Sequence, residues 1–153
     1  MRLVLDACLP PWLVDSLMPV VAPACTVEHV TRLYGQGCKD ADWIARLSAE
    51  GGAVFLTLDR HMRTRPLEVQ ALIASRCVGI VLTPQWQSDP DHVMLARLLL
   101  HWEHIVTASH LPPPAMLELA FALRPRAPGQ WRGWDKIRGR LRPPAPVPAS
   151  APR

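Results

Sequence analysis

"VFLTLDRHMRTRP", residues 54–66, opens as an apolar run and stops at a single carboxylate, Asp59. An apolar run of this length, bounded by punctuating residues, is what a strand covered on both faces requires. Its tip is followed at once by Arg60, His61, Arg63 and Arg65. A strand that merely ends does so in a turn residue and moves on. This one delivers a carboxylate and surrounds it with positive charge, which points to a site that holds a metal ion and faces a polyanion. Pro66 then suits the first turn of a helix.

Outward from this strand, strand and helix signals alternate. "RLVLD" (2–6) is a short strand ending in Asp6, and "LPPWLVDSLM" (9–18) follows as a helix with prolines in its first turn. "ACTVEHV" (24–30) reads as a second strand and "TRLYGQGC" (31–38) as a glycine-containing loop. "KDADWIARLSAEGG" (39–52) is a helix with Asp40 as N-cap and a Gly-Gly stop. After the third strand come a helix over 66–77, a strand "VGIVLT" (78–83), one long helix over 88–109 opened by Ser88 or Asp89, and a fifth strand within "AMLELAFALR" (115–124). Alternation of this kind predicts an α/β fold with a mainly parallel sheet between helical layers.

In such a sheet, functional groups gather at the carboxyl ends of the strands, and the following helices begin on that same rim. Asp6 ends the first strand, Asp59 ends the third, and Asp40 and Asp42 begin the helix after the second. Carboxylates brought together repel unless a cation compensates. A hard cation, Mg²⁺ or Mn²⁺, suits such oxygens, and it activates water against a phosphodiester. Arg60, Arg63 and Arg65 are then placed to hold substrate phosphate. Each acid also has a structural reading. Asp40 suits a helix cap, Asp42 the helix dipole and Asp59 a turn cap, whereas Asp6 has no routine structural task.

The 153 residues suit one domain with a real core, and 49% hydrophobic content agrees. The 17 prolines and the charge are unevenly spread. Residues 124–153 carry eight basic side chains and one acid, a balance of +7, against −3 for residues 1–123. This predicts a domain over 1–123 and a basic, Pro/Arg-rich, partly disordered extension over 124–153. Trp131, Arg132 and Trp134 in that extension suit RNA stacking and phosphate contact, or docking to a partner chain. The four cysteines form no C-x-x-C pair and read as reduced thiols of a cytoplasmic protein. Asp6 and Asp15 interrupt the apolar N-terminus, which argues against a signal peptide, and no run is long enough to span a membrane. His101 and His104 have helical spacing and read as a surface-facing pair.

The whole resembles the PIN-like ribonucleases, in particular the minimal PIN-like proteins that form the toxin half of bacterial toxin–antitoxin pairs. "LDACLPPWLVDSL", "DADWIARLSAEGGAVFLTLDRHMRTRP" and "LPPPAMLEL" carry the resemblance, which spans roughly residues 3–120. It implies a three-layer α/β/α PIN-like fold and endonucleolytic cleavage of RNA by a metal-activated water. Asp6, Asp40 and Asp59 are implied as catalytic metal ligands, with Asp42 a possible addition. RNA and an antitoxin protein are the partners it implies, and a homodimer is a further expectation. Members commonly use a fourth acid late in the domain, for which Asp89 and Asp91 are the candidates. Cys8 stands where similar proteins often carry a polar or acidic residue.

Two rivals come from other classes. One is a catalytically degenerate PIN-like module that binds RNA or protein. The other is a receiver domain, suggested by "DRHM" after the third strand and Thr83 at the end of the fourth. A receiver also needs a second acid beside Asp6 and a lysine ending the fifth strand, and the sequence has neither there.

Overall fold

The computed structural model describes residues 1–119. The predicted boundary at 123/124, the basic extension and its contacts Trp131, Arg132 and Trp134 lie outside the described residues. Five strands form one sheet: β1 (Arg2–Leu5), β2 (Thr26–His29), β3 (Val54–Thr57), β4 (Val78–Leu82) and β5 (Ala115–Leu119). All four pairings are parallel and the order is β2-β1-β3-β4-β5. The helices are α1 (Trp12–Val21), α2 (Val30–Tyr34), α3 (Asp40–Ala49), α4 (Pro66–Ile73), α5 (Asp91–Leu100) and α6 (Trp102–Ser109). Short 3₁₀ turns at Arg60–Arg63 and Pro84–Ser88 follow β3 and β4.

The central strands β3 and β4 are buried along their whole length, as the apolar runs require. Period-two alternation divides their side chains between two cores. Leu3, Leu5, Leu56 and Ile80 meet Leu13 and Leu17 of α1, Leu98 of α5 and Ile105 of α6 on one face. Val4, Phe55, Val81 and Met116 meet Trp43, Ile44 and Leu47 of α3 and Leu72 of α4 on the other. The result is the three-layer α/β/α arrangement read from the sequence. Among the described residues no helix is long and apolar enough to cross a membrane.

Two differences from the sequence reading concern helices. The "TRLYGQGC" loop contains a short helix, α2, capped by His29, whose ring accepts from Thr31 N–H at 3.2 Å. The long helix over 88–109 is two helices broken at His101. That side chain is buried, with its ring 5.5 Å from Trp86 and 5.4 Å from His104, so His101 is packed inward and not surface-facing. The apolar pattern runs on through this break.

Two glycines are required by close approach. A Cβ on Gly52, at φ +83°, would lie 2.1 Å from the Arg76 carbonyl oxygen, so the chain turns from α3 into β3 only with glycine there. On β4, a Cβ at Gly79 would lie 2.3 Å from Met116 Sδ and 2.5 Å from Phe55 Cζ. Phe55 occupies that space and meets Trp43 edge-on at 5.1 Å. Gly79→Ala is therefore expected to cost about 1–3 kcal/mol in urea unfolding, because the Phe55 ring must shift out of its packing with Trp43.

Candidate active site

The strand order reverses between β1 and β3. β1 has β2 on one side and β3 on the other, and the chain crosses over β1 to reach β3. At such a point the connections leave in opposite directions and a crevice opens beyond the carboxyl ends. Asp6 stands directly after β1 and Asp59 two residues after β3. Asp40 and Glu68 lie in the first turns of α3 and α4, the helices that begin on the same rim.

Asp6 is buried and held by three donors of its own chain. Its Oδ1 accepts from Ala7 N–H at 2.6 Å. Its Oδ2 accepts from Thr57 Oγ1 at 2.6 Å and from Cys8 Sγ at 3.0 Å. The Thr57 hydroxyl in turn accepts from Asp59 N–H at 2.9 Å, so one side chain ties the end of β1 to Asp59 beyond β3. Asp6 thus has a structural task after all: it closes the β1–β3 seam. With three of about four lone-pair directions used, one remains, on Oδ1.

The other three acids converge on one nitrogen. Arg65 Nη1 lies 3.0 Å from Glu68 Oε1, 3.1 Å from Asp59 Oδ2 and 3.8 Å from Asp40 Oδ2. Asp59 Oδ1 caps the 3₁₀ turn by accepting from His61 N–H at 2.8 Å. Asp40 does not cap α3. The N-cap is Lys39, without a side-chain bond, and Asp40 Oδ1 accepts from Trp43 Nε1 at 3.1 Å. The capping explanation for Asp40 therefore fails, and its carboxylate faces the other acids. Burial, and then the charges of Asp6, Glu68 and Asp59, push the Asp40 carboxyl above its ordinary value against the pull of Trp43. Arg65 raises no bar to this: one guanidinium, most distant from Asp40, leaves the acids mutually repelling. Glu68 Oε2 is buried and has no hydrogen-bond partner among the described residues.

The remaining candidates separate into two groups. Asp42 is exposed, and its carboxylate makes no ion pair or hydrogen bond among the described residues. Asp89 pairs with Arg97 Nε at 2.7 Å and Asp91 is exposed in the first turn of α5, so neither is bonded to the acidic crevice. Arg63 is turned away from it and pairs with Glu118 on β5 at 3.0 Å. Of the three arginines assigned to phosphate, only Arg60 is exposed without a carboxylate partner among the described residues. Glu68 was missed in the sequence although the rule that found Asp40, a helix beginning on the rim, applies to it equally.

Cys8 is placed as a hydrogen-bond donor to Asp6. Solvent reaches the residue, yet its sulfur donates to Asp6 and accepts from Leu58 N–H at 3.1 Å. Crowding around the thiol, then the Asp6 charge, pushes it up to about 12. Its place as a protonated donor explains how a thiol substitutes for a polar neighbour of Asp6.

Among the described residues, no group of three or more His, Cys, Asp or Glu side chains is drawn in closely enough to hold a metal ion as it stands. The acids around Arg65 keep the spacing of a nitrogen partner, wider than the ~2.1 Å of a Mg²⁺–oxygen bond.

A family model described as "PIN like domain" matches residues 1–84, more than half of the chain. The chain belongs to the PIN-like domain family. The matched segment contains β1 to β4 and all four acids of the crevice. No curated protein and no solved structure matches the chain. PIN-like domains are generally nucleases that use divalent metals.

Two substitutions in this crevice are expected to act in opposite directions. Asp6→Asn sets an amide N–H₂ against donors and should cost about 1–3 kcal/mol. Asp40→Asn keeps the acceptor for Trp43 and removes one repelling charge, so it should raise the melting temperature at pH 7 in EDTA by a few degrees, roughly 1 kcal/mol. The folded protein binds the Asp40 proton more tightly than the unfolded chain does. The wild type therefore loses stability as pH rises from the ordinary carboxylate value of 3.8 through the raised one. The advantage of Asp40→Asn should accordingly vanish on acidification to pH 3, as read by thermal melts across pH. Alkylation with iodoacetamide at pH 8 should modify Cys38 well before Cys8, as read by peptide mass mapping.

Proposed function

We propose that the protein is a metal-dependent endoribonuclease, with Asp6, Asp40 and Asp59 holding Mg²⁺ or Mn²⁺, and that it serves as the toxin of a bacterial toxin–antitoxin pair. The observation that carries the nuclease reading is the convergence of these acids, with Glu68, at the reversal of strand order in a PIN-like domain. The donor chemistry fits a hard dication: every group offered is a carboxylate oxygen, and a buried one, Glu68 Oε2, lacks a partner among the described residues. When bound, such a cation supplies an activated water and stabilises charge on the phosphodiester.

The chain's own residues do the positioning. Thr57 sets Asp6 and the backbone of Asp59 relative to one another. Asp59 fixes the start of the turn that carries Arg60 on the surface. Arg60 and Lys39, both exposed beside the acids, attract the flanking phosphates of a single strand. Among the substrates of PIN-like nucleases, RNA is our choice because of the resemblance to toxin-type members and the basic, Trp-containing extension. The toxin role adds an antitoxin protein as partner.

A binding module without chemistry is the competing reading, and one observation favours it: a guanidinium already sits among the acids. The receiver reading does not survive assignment to the PIN-like family. Incubation of labelled RNA with the full chain separates the first two. Cleavage is expected with Mn²⁺, none with EDTA, and about 100-fold less for Asp59→Asn, a loss of about 3 kcal/mol of transition-state stabilisation. Asp59→Asn keeps the acceptor for His61 N–H and is a cleaner test than Asp6→Asn. Tight RNA binding with no cleavage under any metal would favour the binding module.

A further inference from the structure

We propose that Arg65 is a resident counter-ion that competes with the divalent cation for the acidic crevice, giving the protein an arginine-closed and a cation-open state. This rests on the metal-dependent reading above and concerns the regulation of that same site. One guanidinium nitrogen lies within 4 Å of oxygens from Asp40, Asp59 and Glu68, which is the position a cation shared by these acids would take. A dication and a guanidinium held by the same oxygens repel each other, and only one of them at a time gains the full attraction. The guanidinium does not saturate the site, since Glu68 Oε2 stays buried without a partner among the described residues.

The surroundings allow Arg65 to leave. Its side chain is about half exposed, at 49%, whereas Asp6 beneath the site is buried at 3%. Its backbone is the N-cap of α4, with N–H bonded to the His61 carbonyl at 3.0 Å, and carries no side-chain cap. A rotation of the side chain therefore removes the positive charge from the crevice without disturbing a core contact. Arg63, two residues earlier, is pinned to Glu118 and keeps the 3₁₀ turn in place while Arg65 moves. Glu68, in the first turn of α4, holds Arg65 in the closed state and has a second oxygen, without a partner among the described residues, for the open one.

Mn²⁺ binding to the full chain, followed by titration calorimetry and by the electron paramagnetic resonance signal of free Mn²⁺, tests this. Arg65→Gln is expected to tighten Mn²⁺ binding about tenfold. It should also melt lower than wild type in EDTA and gain more from added Mn²⁺. Asp59→Asn in the Arg65→Gln background should lose the gain. If Arg65→Gln does not fold in EDTA, Arg65→Lys carries the test. Lysine keeps the charge but loses the planar fork, so a smaller tightening is expected. Equal or weaker Mn²⁺ binding by the variant that folds would overturn the competition and leave the nuclease reading intact. No Mn²⁺ binding by wild type or variant would overturn both.

Discussion

At the rim where β1 and β3 end, Asp40, Asp59 and Glu68 share one guanidinium nitrogen of Arg65 with Asp6 close by, and that local excess of negative charge governs the rest of the site. The topology imposes it. Strand order reverses at β1, so the ends of two neighbouring strands and the starts of α3 and α4 all open on one crevice. A fold selected for stability alone would place neutral residues at such positions. The raised Asp40 carboxyl is the cost of not doing so, and a stability cost borne at one cleft is the pattern on which our functional reading of the crevice rests.

The site has a fixed half and a movable half. The fixed half is Asp6, Thr57 and Cys8, where a buried carboxylate accepts from two side chains and a backbone amide and thereby joins two strands. The half we propose to be movable is Arg65, half exposed and held by ion pairs to Asp40, Asp59 and Glu68. Exposed ion pairs are weak one at a time, and what holds Arg65 is the number of acids that share it. Away from the crevice, charge serves construction. Arg2 bridges Glu28 and Glu50 at the opposite edge, and Tyr34 donates to Glu50 at 3.0 Å. There Glu28 and Glu50 each have a partner in Arg2.

Much of this was legible in the sequence. Apolar runs bounded by Gly, Pro and Asp gave the strands, and the alternation with helices placed Asp6, Asp40 and Asp59 on one rim before any coordinate was known. Glu68 was equally legible as an acid in a helix first turn. The partners of Arg63 and Arg65 were not legible. Arg63 meets Glu118 across 55 positions, and only the lateral placement of β5 beside β4 brings them together. The structural work of Asp6 was hidden for the same reason, since its donor Thr57 is 51 positions away. The break at His101 was invisible because the hydrophobic pattern continues through it.

The most direct measurement is a crystal structure of the full chain grown with Mn²⁺, with the metal located by its anomalous scattering. The expected result is a peak between Asp40 and Asp59, within reach of Asp6, with the Arg65 side chain swung out to solvent. A crystal saturated with Mn²⁺ in which Arg65 still bridges Asp59 and Glu68, and in which no peak lies among these acids, would contradict it.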